Sequence, residues 1–265
     1  MSPVTTATLM QMKARGEKIA VLTSYDASFT THIEDAGVEV ILVGDSLGMV
    51  IQGQESTLPV AVEEMVYHTR CVARARRNAL LVADMPFMSY SSSQQALNTA
   101  GRLMKDGGAH MVKLEGGGTQ LETVRQLTAN GIPVCAHLGL LPQSVHKLGG
   151  YRVQGRDGDS ARMMREDALA LEAAGAQLLV LECVPARLAG EISRELEIPV
   201  IGIGAGAACD GQVLVLYDML GITPRQPPRF TRNFLEQSGS VAAAIAAYAQ
   251  AVKEGSFPAQ EHSFE

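Results

Sequence analysis

Residues of this chain that can hold or move a charge recur at one kind of place, the ends of short apolar runs. KIAVLTSYD stops at Asp26, VEVILVGDS at Asp45 and Ser46, NALLVADMPF carries Asp84 and AHMVKLEGG carries Glu115. IPVCAHLGL holds His137, AQLLVLECVP holds Glu182 and GQVLVLYDMLG holds Asp218. A single Asp or Ser after a strand is ordinarily a helix cap, satisfying orphan amides at a helix start. A cap explains one acid and not a series of them. Carboxylates crowded together repel, raise one another's pKa and favour a cation in their midst. Oxygen donors such as Asp45, Asp84 and Glu115 suit Mg²⁺, which keeps waters that a substrate can displace. Ion pairing of the same acids with Arg and Lys is the competing account.

Lys113 stands two positions before Glu115, so on a strand both project to one side. A buried ammonium needs an anion, and a neighbouring acid and a substrate carboxylate both qualify. Glu182 lies inside an apolar run, which should desolvate it and move its pKa upward from about 4.3, toward that of a proton acceptor near neutrality. Pairing with Lys or Arg is the alternative. His137 reads either as a hydrogen-bonded core histidine or as a substrate contact.

The elements that must position these residues are legible from periodicity. Eight Val/Ile/Leu-rich runs, the seven above and IPVIGIGAG, alternate with amphipathic stretches, the pattern of repeated βα units. SSSQQALNTAGRLMKDGG and SARMMREDALALEAAG read as helices with serine caps at their starts and glycines after their ends. GGTQLETVRQLTANG and ARLAGEISRELE continue the series. Eight strands close a barrel, so the expectation is a single-domain (β/α)8 TIM barrel over residues 1–265, with the strand-end acids gathered at its C-terminal mouth. GIGAGAACDG, at 202–211, lies too late in the chain for a dinucleotide fingerprint and reads as a turn permitting close backbone approach at that mouth. Leu140–Asp159 is long for a βα loop and reads as a functional insertion or lid. The alanine-rich segment around 240–252 is apolar nearly all round and must be buried, on the barrel or against another subunit.

Composition excludes several classes. With 265 residues, 46% hydrophobic and 19% charged, the chain is globular. A net charge of -6 without a Lys/Arg stripe argues against nucleic acid, and no apolar run could span a bilayer. The N-terminal stretch lacks a secretory h-region, so a cytoplasmic location is expected. Four cysteines without CxxC spacing read as reduced, mostly packed thiols rather than disulfides or a zinc site.

TSYD, VGDSLGMVIQG, STLPV, YHT, ADMPFMSY, VKLEGG, HLGLLPQS, GGYRVQGR, LEAAGAQLLVLECVP, IPVIGIGAG and the terminal EHSF, in this order, closely resemble the ketopantoate hydroxymethyltransferase family across nearly the whole chain. The resemblance implies a barrel of the phosphoenolpyruvate mutase and isocitrate lyase superfamily, assembled as a homodecamer, acting on a small ketoacid with Mg²⁺ and 5,10-methylenetetrahydrofolate as co-substrate. It carries the metal positions to Asp45, Asp84 and Glu115, the substrate contacts to Asp45, Ser46, Asp84 and Lys113, and the proton acceptor to Glu182. Ala136, Leu141 and Tyr217 depart from the family pattern. Rival readings are a folate-independent C–C lyase or mutase of the same superfamily, and a non-catalytic barrel scaffold.

Overall fold

The computed structural model describes residues 2–265. Its eight strands are β1 (Ile19–Thr23), β2 (Val40–Val43), β3 (Leu80–Asp84), β4 (Met111–Glu115), β5 (Val134–Gly139), β6 (Leu178–Glu182), β7 (Val200–Ile203) and β8 (Gly211–Leu214). They pair in sequence order into one closed barrel, and β1 closes on β8 with Val21 beside Val213. Every pairing is parallel, which requires a crossover after each strand and leaves all eight C-terminal ends at one mouth. Each expected apolar run contains its strand.

Period-two alternation sorts the strand residues. Ile19 and Val21, Val40 and Leu42, Leu80 and Val82, Met111, Cys135, Leu178 and Val180 fill the barrel interior. Their neighbours, such as Leu81, Val112, Ala136 and Leu179, join the larger core beneath the helices. The helix Thr6–Ala14 adds Leu9 and Met12 to the interior cluster. Lys13 from the same helix bonds to the carbonyls of Ser193 and Ile198 and to Asp210, at 2.6, 2.8 and 2.9 Å.

The predicted helices appear at Ser93–Lys105, Leu121–Ala129, Gly158–Ala173 and Ala186–Glu195. Ser92 caps the first as expected. The third is capped by Asp157, whose carboxylate accepts from Ser160 N, and not by a serine. The helix Val241–Lys253 docks on the barrel it follows, burying Ala244, Ile245, Tyr248 and Val252. The Tyr248 hydroxyl reaches the carbonyls of Val21 and Gln212 at 2.8 and 3.0 Å, tying the tail helix to β1 and β8. The four cysteines are unpaired thiols, all but Cys71 buried. No helix among the described residues is long and apolar enough to cross a membrane.

Candidate active site

Strand register decides which polar residues meet. Asp84, the last residue of β3, is the lateral partner of Lys113 on β4. Two residues further, Glu115 pairs with His137 on β5, and Glu182 on β6 lies beside Gly139. Asp84, Lys113, Glu115 and His137 are buried side chains at the top of a barrel whose lower layers are apolar. With Asp45, Ser46 and Glu182 they line a cavity of about 510 Å³ that opens at the C-terminal mouth. Of the strand-end residues expected at the mouth, Asp45, Asp84, Glu115, His137, Glu182 and Asp218 line this cavity and Asp26 does not.

Lys113 Nζ is 2.8 Å from Asp84 Oδ1 and 3.3 Å from His137 Nδ1. Burial opposes its charge, but Asp84, Glu115 and Asp45 together outweigh burial and hold its pKa above the ordinary lysine value. Of the two partners considered from sequence, the neighbouring acid is the one present. His137 Nδ1 lies 3.5 Å from Glu115 Oε1 and its Nε2 lies 3.2 Å from Glu182 Oε2, so one ring stands between two carboxylates. Burial and Lys113 lower its pKa, Glu115 and Glu182 raise it, and the balance is upward. The partner of Glu182 is thus an imidazole, not the Lys or Arg considered from sequence.

Asp45 is not a cap. The short helix Leu47–Val50 begins after Ser46, which makes no side-chain cap bond. Instead Asp45 Oδ2 accepts from Gln143 Nε2 at 2.8 Å, while Asp45 N donates to Asp84 Oδ2 at 3.0 Å. Burial and then the charges of Asp84 and Glu115 push the Asp45 carboxyl well above its ordinary value. Ser46 Oγ bonds the buried Tyr25 hydroxyl at 2.8 Å. Gly44 permits this: a Cβ there would sit 2.6 Å from Ser46 Oγ.

Two of the strand-end acids have other work. Asp26 caps the helix Ala27–Asp35 by accepting from Phe29 N. Asp218 lies beyond β8, in the helix Leu216–Met219, where it lines the cavity and accepts from Thr223 Oγ1 at 2.6 Å. The glycine turn behaves as expected. Gly204, at φ +61°, is approached so closely by Phe230 and Phe264 that a Cβ would lie 2.9 and 3.0 Å from them. Tyr217, one of the departures from the family pattern, packs its ring 5.9 Å from those of Tyr25 and Phe29.

Whether the residues fit a divalent cation turns on charge. Asp45, Asp84 and Glu115 share the mouth with Lys113, the one buried lysine or arginine among the described residues. One ammonium faces three carboxylates, and after burial itself the charges of Asp84 and Glu115 add to the rise at Asp45. Their side chains do not, however, close on a common point as a ready-made ligand set among the described residues. Lys113 takes up Asp84, while Gln143 takes up one oxygen of Asp45 and, through its main-chain N–H, one of Glu115. The donor set suits a hard cation in chemistry and charge.

Gln143 had no role in the sequence-based expectation. It sits in the 3₁₀ turn Pro142–Ser144 that opens the Leu140–Asp159 insertion, and only its place immediately beyond β5 could have drawn notice. Tyr151 of the same insertion lines the cavity, its hydroxyl 3.7 Å from Met49 Sδ.

The fold and site define a (β/α)8-barrel enzyme with a polar, carboxylate-rich mouth. The same barrel occurs in phosphoenolpyruvate phosphomutase from Streptomyces platensis subsp. rosaceus, with a TM-score of 0.62 at 14% identity over 82% of each chain. Oxaloacetate acetylhydrolase matches with a TM-score of 0.60 at 15% identity, covering 97% of this chain and 100% of its own. The chain belongs to the ketopantoate hydroxymethyltransferase family, whose model matches residues 3–260. The 3-methyl-2-oxobutanoate hydroxymethyltransferase of Alkalilimnicola ehrlichii is 62% identical over 262 residues, 99% of this chain and 95% of that one. Its counterpart from Nitrosococcus oceani is 61% identical over the full length of both.

Proposed function

We propose that this enzyme transfers a hydroxymethyl group from 5,10-methylenetetrahydrofolate to 3-methyl-2-oxobutanoate, giving ketopantoate and tetrahydrofolate for pantothenate biosynthesis. The observation that carries the chemistry is the single cavity into which Glu182, Lys113 and the Asp45–Asp84–Glu115 group all open.

Asp45, Asp84 and Glu115 would hold Mg²⁺, and the ion when bound supplies Lewis-acid polarisation of the ketoacid oxygens, help worth several kcal/mol in general. The ketoacid brings its own carboxylate. That anion gives Lys113 a second partner in place of Asp84, so substrate entry and release of Asp84 are one exchange. Ser46, fixed by Tyr25, donates to the same carboxylate.

Glu182 accepts the C3 proton of the ketoacid, leaving an electron pair at C3. Water adds to the methylene carbon of the folate as its two C–N bonds break and the nitrogens take the water protons. The C3 pair attacks the one-carbon aldehyde so released, whose oxygen takes back the proton from Glu182 to become the hydroxyl. The His137 ring stands between Glu182, 3.2 Å from its Nε2, and Glu115, 3.5 Å from its Nδ1. Glu182 is the last residue of β6 and lines the cavity, and Cys183 after it takes a left-handed conformation at φ +49°. The resemblance gives self-association as a homodecamer, and sedimentation velocity measures its size.

The test is hydrogen exchange at C3 of 3-methyl-2-oxobutanoate in D₂O with Mg²⁺ and no folate. Wild type should exchange, and Glu182→Gln should lose roughly 10²–10⁴-fold, the range of a positioned general base. Equal exchange by both proteins refutes the assignment, and exchange indifferent to Mg²⁺ refutes the metal.

A further inference from the structure

Gln143 is buried and has every hydrogen-bonding group of its side chain engaged. Its amide nitrogen donates to Asp45 Oδ2 at 2.8 Å and to the Met85 carbonyl at 2.9 Å. Its amide oxygen accepts from the Tyr90 hydroxyl, and its main-chain N–H donates to Glu115 Oε2 at 3.0 Å. This pattern fixes the amide orientation: turned over, the amide oxygen would face a carbonyl and a carboxylate with no proton between them. Tyr90 closes the circuit, since its oxygen lies 3.3 Å from the donating Glu115 N. One residue thus grips two rim carboxylates from separate strand ends, Asp45 by its side chain and Glu115 by its backbone.

We infer that Gln143 is a positioning residue that sets the spacing and orientation of Asp45 and Glu115 for a divalent cation, and that the turn opening the Leu140–Asp159 insertion exists to deliver it. The inference rests on the cation reading above. Two carboxylates that repel one another drift apart or turn to solvent unless held. Two neutral N–H donors hold them without adding a positive charge that would compete with the ion. An outer partner of this kind typically contributes 10–100-fold to metal affinity. The Gln143 side chain is not among the residues lining the cavity, so its effect should fall on cation binding before the chemical step.

The experiment is calorimetric titration of the full-length protein with Mn²⁺, without substrate, for wild type, Gln143→Met and Tyr90→Phe. Gln143→Met keeps the length of the side chain and loses the side-chain hydrogen bonds to Asp45, Met85 and Tyr90, leaving only the main-chain N–H on Glu115; its Kd for Mn²⁺ should rise about 10–100-fold. Its activity at low Mn²⁺ should fall and recover substantially at saturating Mn²⁺, a rescue that a general packing defect would not show. Tyr90→Phe removes only the bond to the amide oxygen and should weaken Mn²⁺ severalfold, which keeps the inference open to test if Gln143→Met fails to fold. A folded Gln143→Met, or failing that Tyr90→Phe, with wild-type Mn²⁺ affinity overturns the role of Gln143 alone. Wild type that takes up no Mn²⁺ overturns the cation reading itself, and this inference with it.

Discussion

Replacing Lys113 by methionine keeps the stem that runs up the barrel interior and removes only the ammonium. In the resting protein that ammonium is 2.8 Å from Asp84 Oδ1, with both side chains buried. The direct attraction at this distance is about 6 kcal/mol at an effective dielectric of about 20. Much of it offsets desolvation, and breaking a buried pair by removing one partner costs about 3–5 kcal/mol because the other charge is stranded. Here the stranded charge faces Asp45 and Glu115 as well, which puts Lys113→Met at the upper end of that range. At roughly 2–4 °C per kcal/mol for a chain of this size, the midpoint in EDTA should fall by roughly 10–20 °C. Mg²⁺ should return part of the loss, since it replaces the missing positive charge, and should stabilise the variant more than wild type. Differential scanning calorimetry in EDTA and in excess Mg²⁺ measures both. A variant within about 1 kcal/mol of wild type in EDTA would mean that the three acids do not need the lysine, and the charge argument for a cation would fall with it.

Tyr248→Phe leaves the carbonyls of Val21 and Gln212 without their shared donor and should cost about 1–3 kcal/mol in urea unfolding, with activity at 25 °C unchanged. Gly44→Ala places a Cβ against Ser46 Oγ and should raise the KM for the ketoacid more than it lowers kcat. Asp218→Asn, which keeps an oxygen for Thr223, should lower activity by less than roughly tenfold, below the 10²–10⁴ of a general acid or base. His110 accepts from Leu81 N at 3.1 Å, and burial followed by Arg76 lowers its pKa. Its folded form binds the proton less readily than the unfolded chain, so its contribution is complete above about pH 6.5 and is lost as pH falls through the lowered value. His110→Asn should flatten the stability–pH curve in that window, read by chemical denaturation at several pH values.

The barrel was legible because apolar runs with alternating helical stretches leave few other parallel arrangements. The distinction between Asp26 and Asp45 was not. Both come after a buried strand, yet Asp26 precedes a nine-residue helix and folds back onto Phe29 N, whereas Asp45 precedes a four-residue turn of helix and points inward. The length of the helix beyond the acid separates them, and the acid itself does not. The eighth run misled in the same way. VLVLYDML reads as strand to its end, but Leu216 N bonds to Thr23 Oγ1 at 2.9 Å instead of continuing the ladder, and the chain turns into helix before Asp218. Gln143 was invisible because an amide carries no periodicity and its three partner segments are 28 to 98 residues away.

The barrel also explains why its buried lysine is where it is. Met111, Lys113 and Glu115 are successive inward residues of β4, so the Lys113 backbone sits one inward step below Glu115 and in register with Asp84 of β3. Its methylenes lie in the apolar layer with Leu42, Val82, Cys135 and Val180, and only the nitrogen reaches up to Asp84. A lysine rooted at the level of Glu115 would have to fold back and crowd the cavity. Rooted one layer down, it delivers charge from below and leaves the mouth open to a substrate arriving from above. A layer lower still, its nitrogen would end among Val21, Val40 and Val213 with no anion in reach, at a cost the fold could not carry. Position 113 therefore lets a lysine be paired without substrate while still lining the cavity a substrate carboxylate would enter.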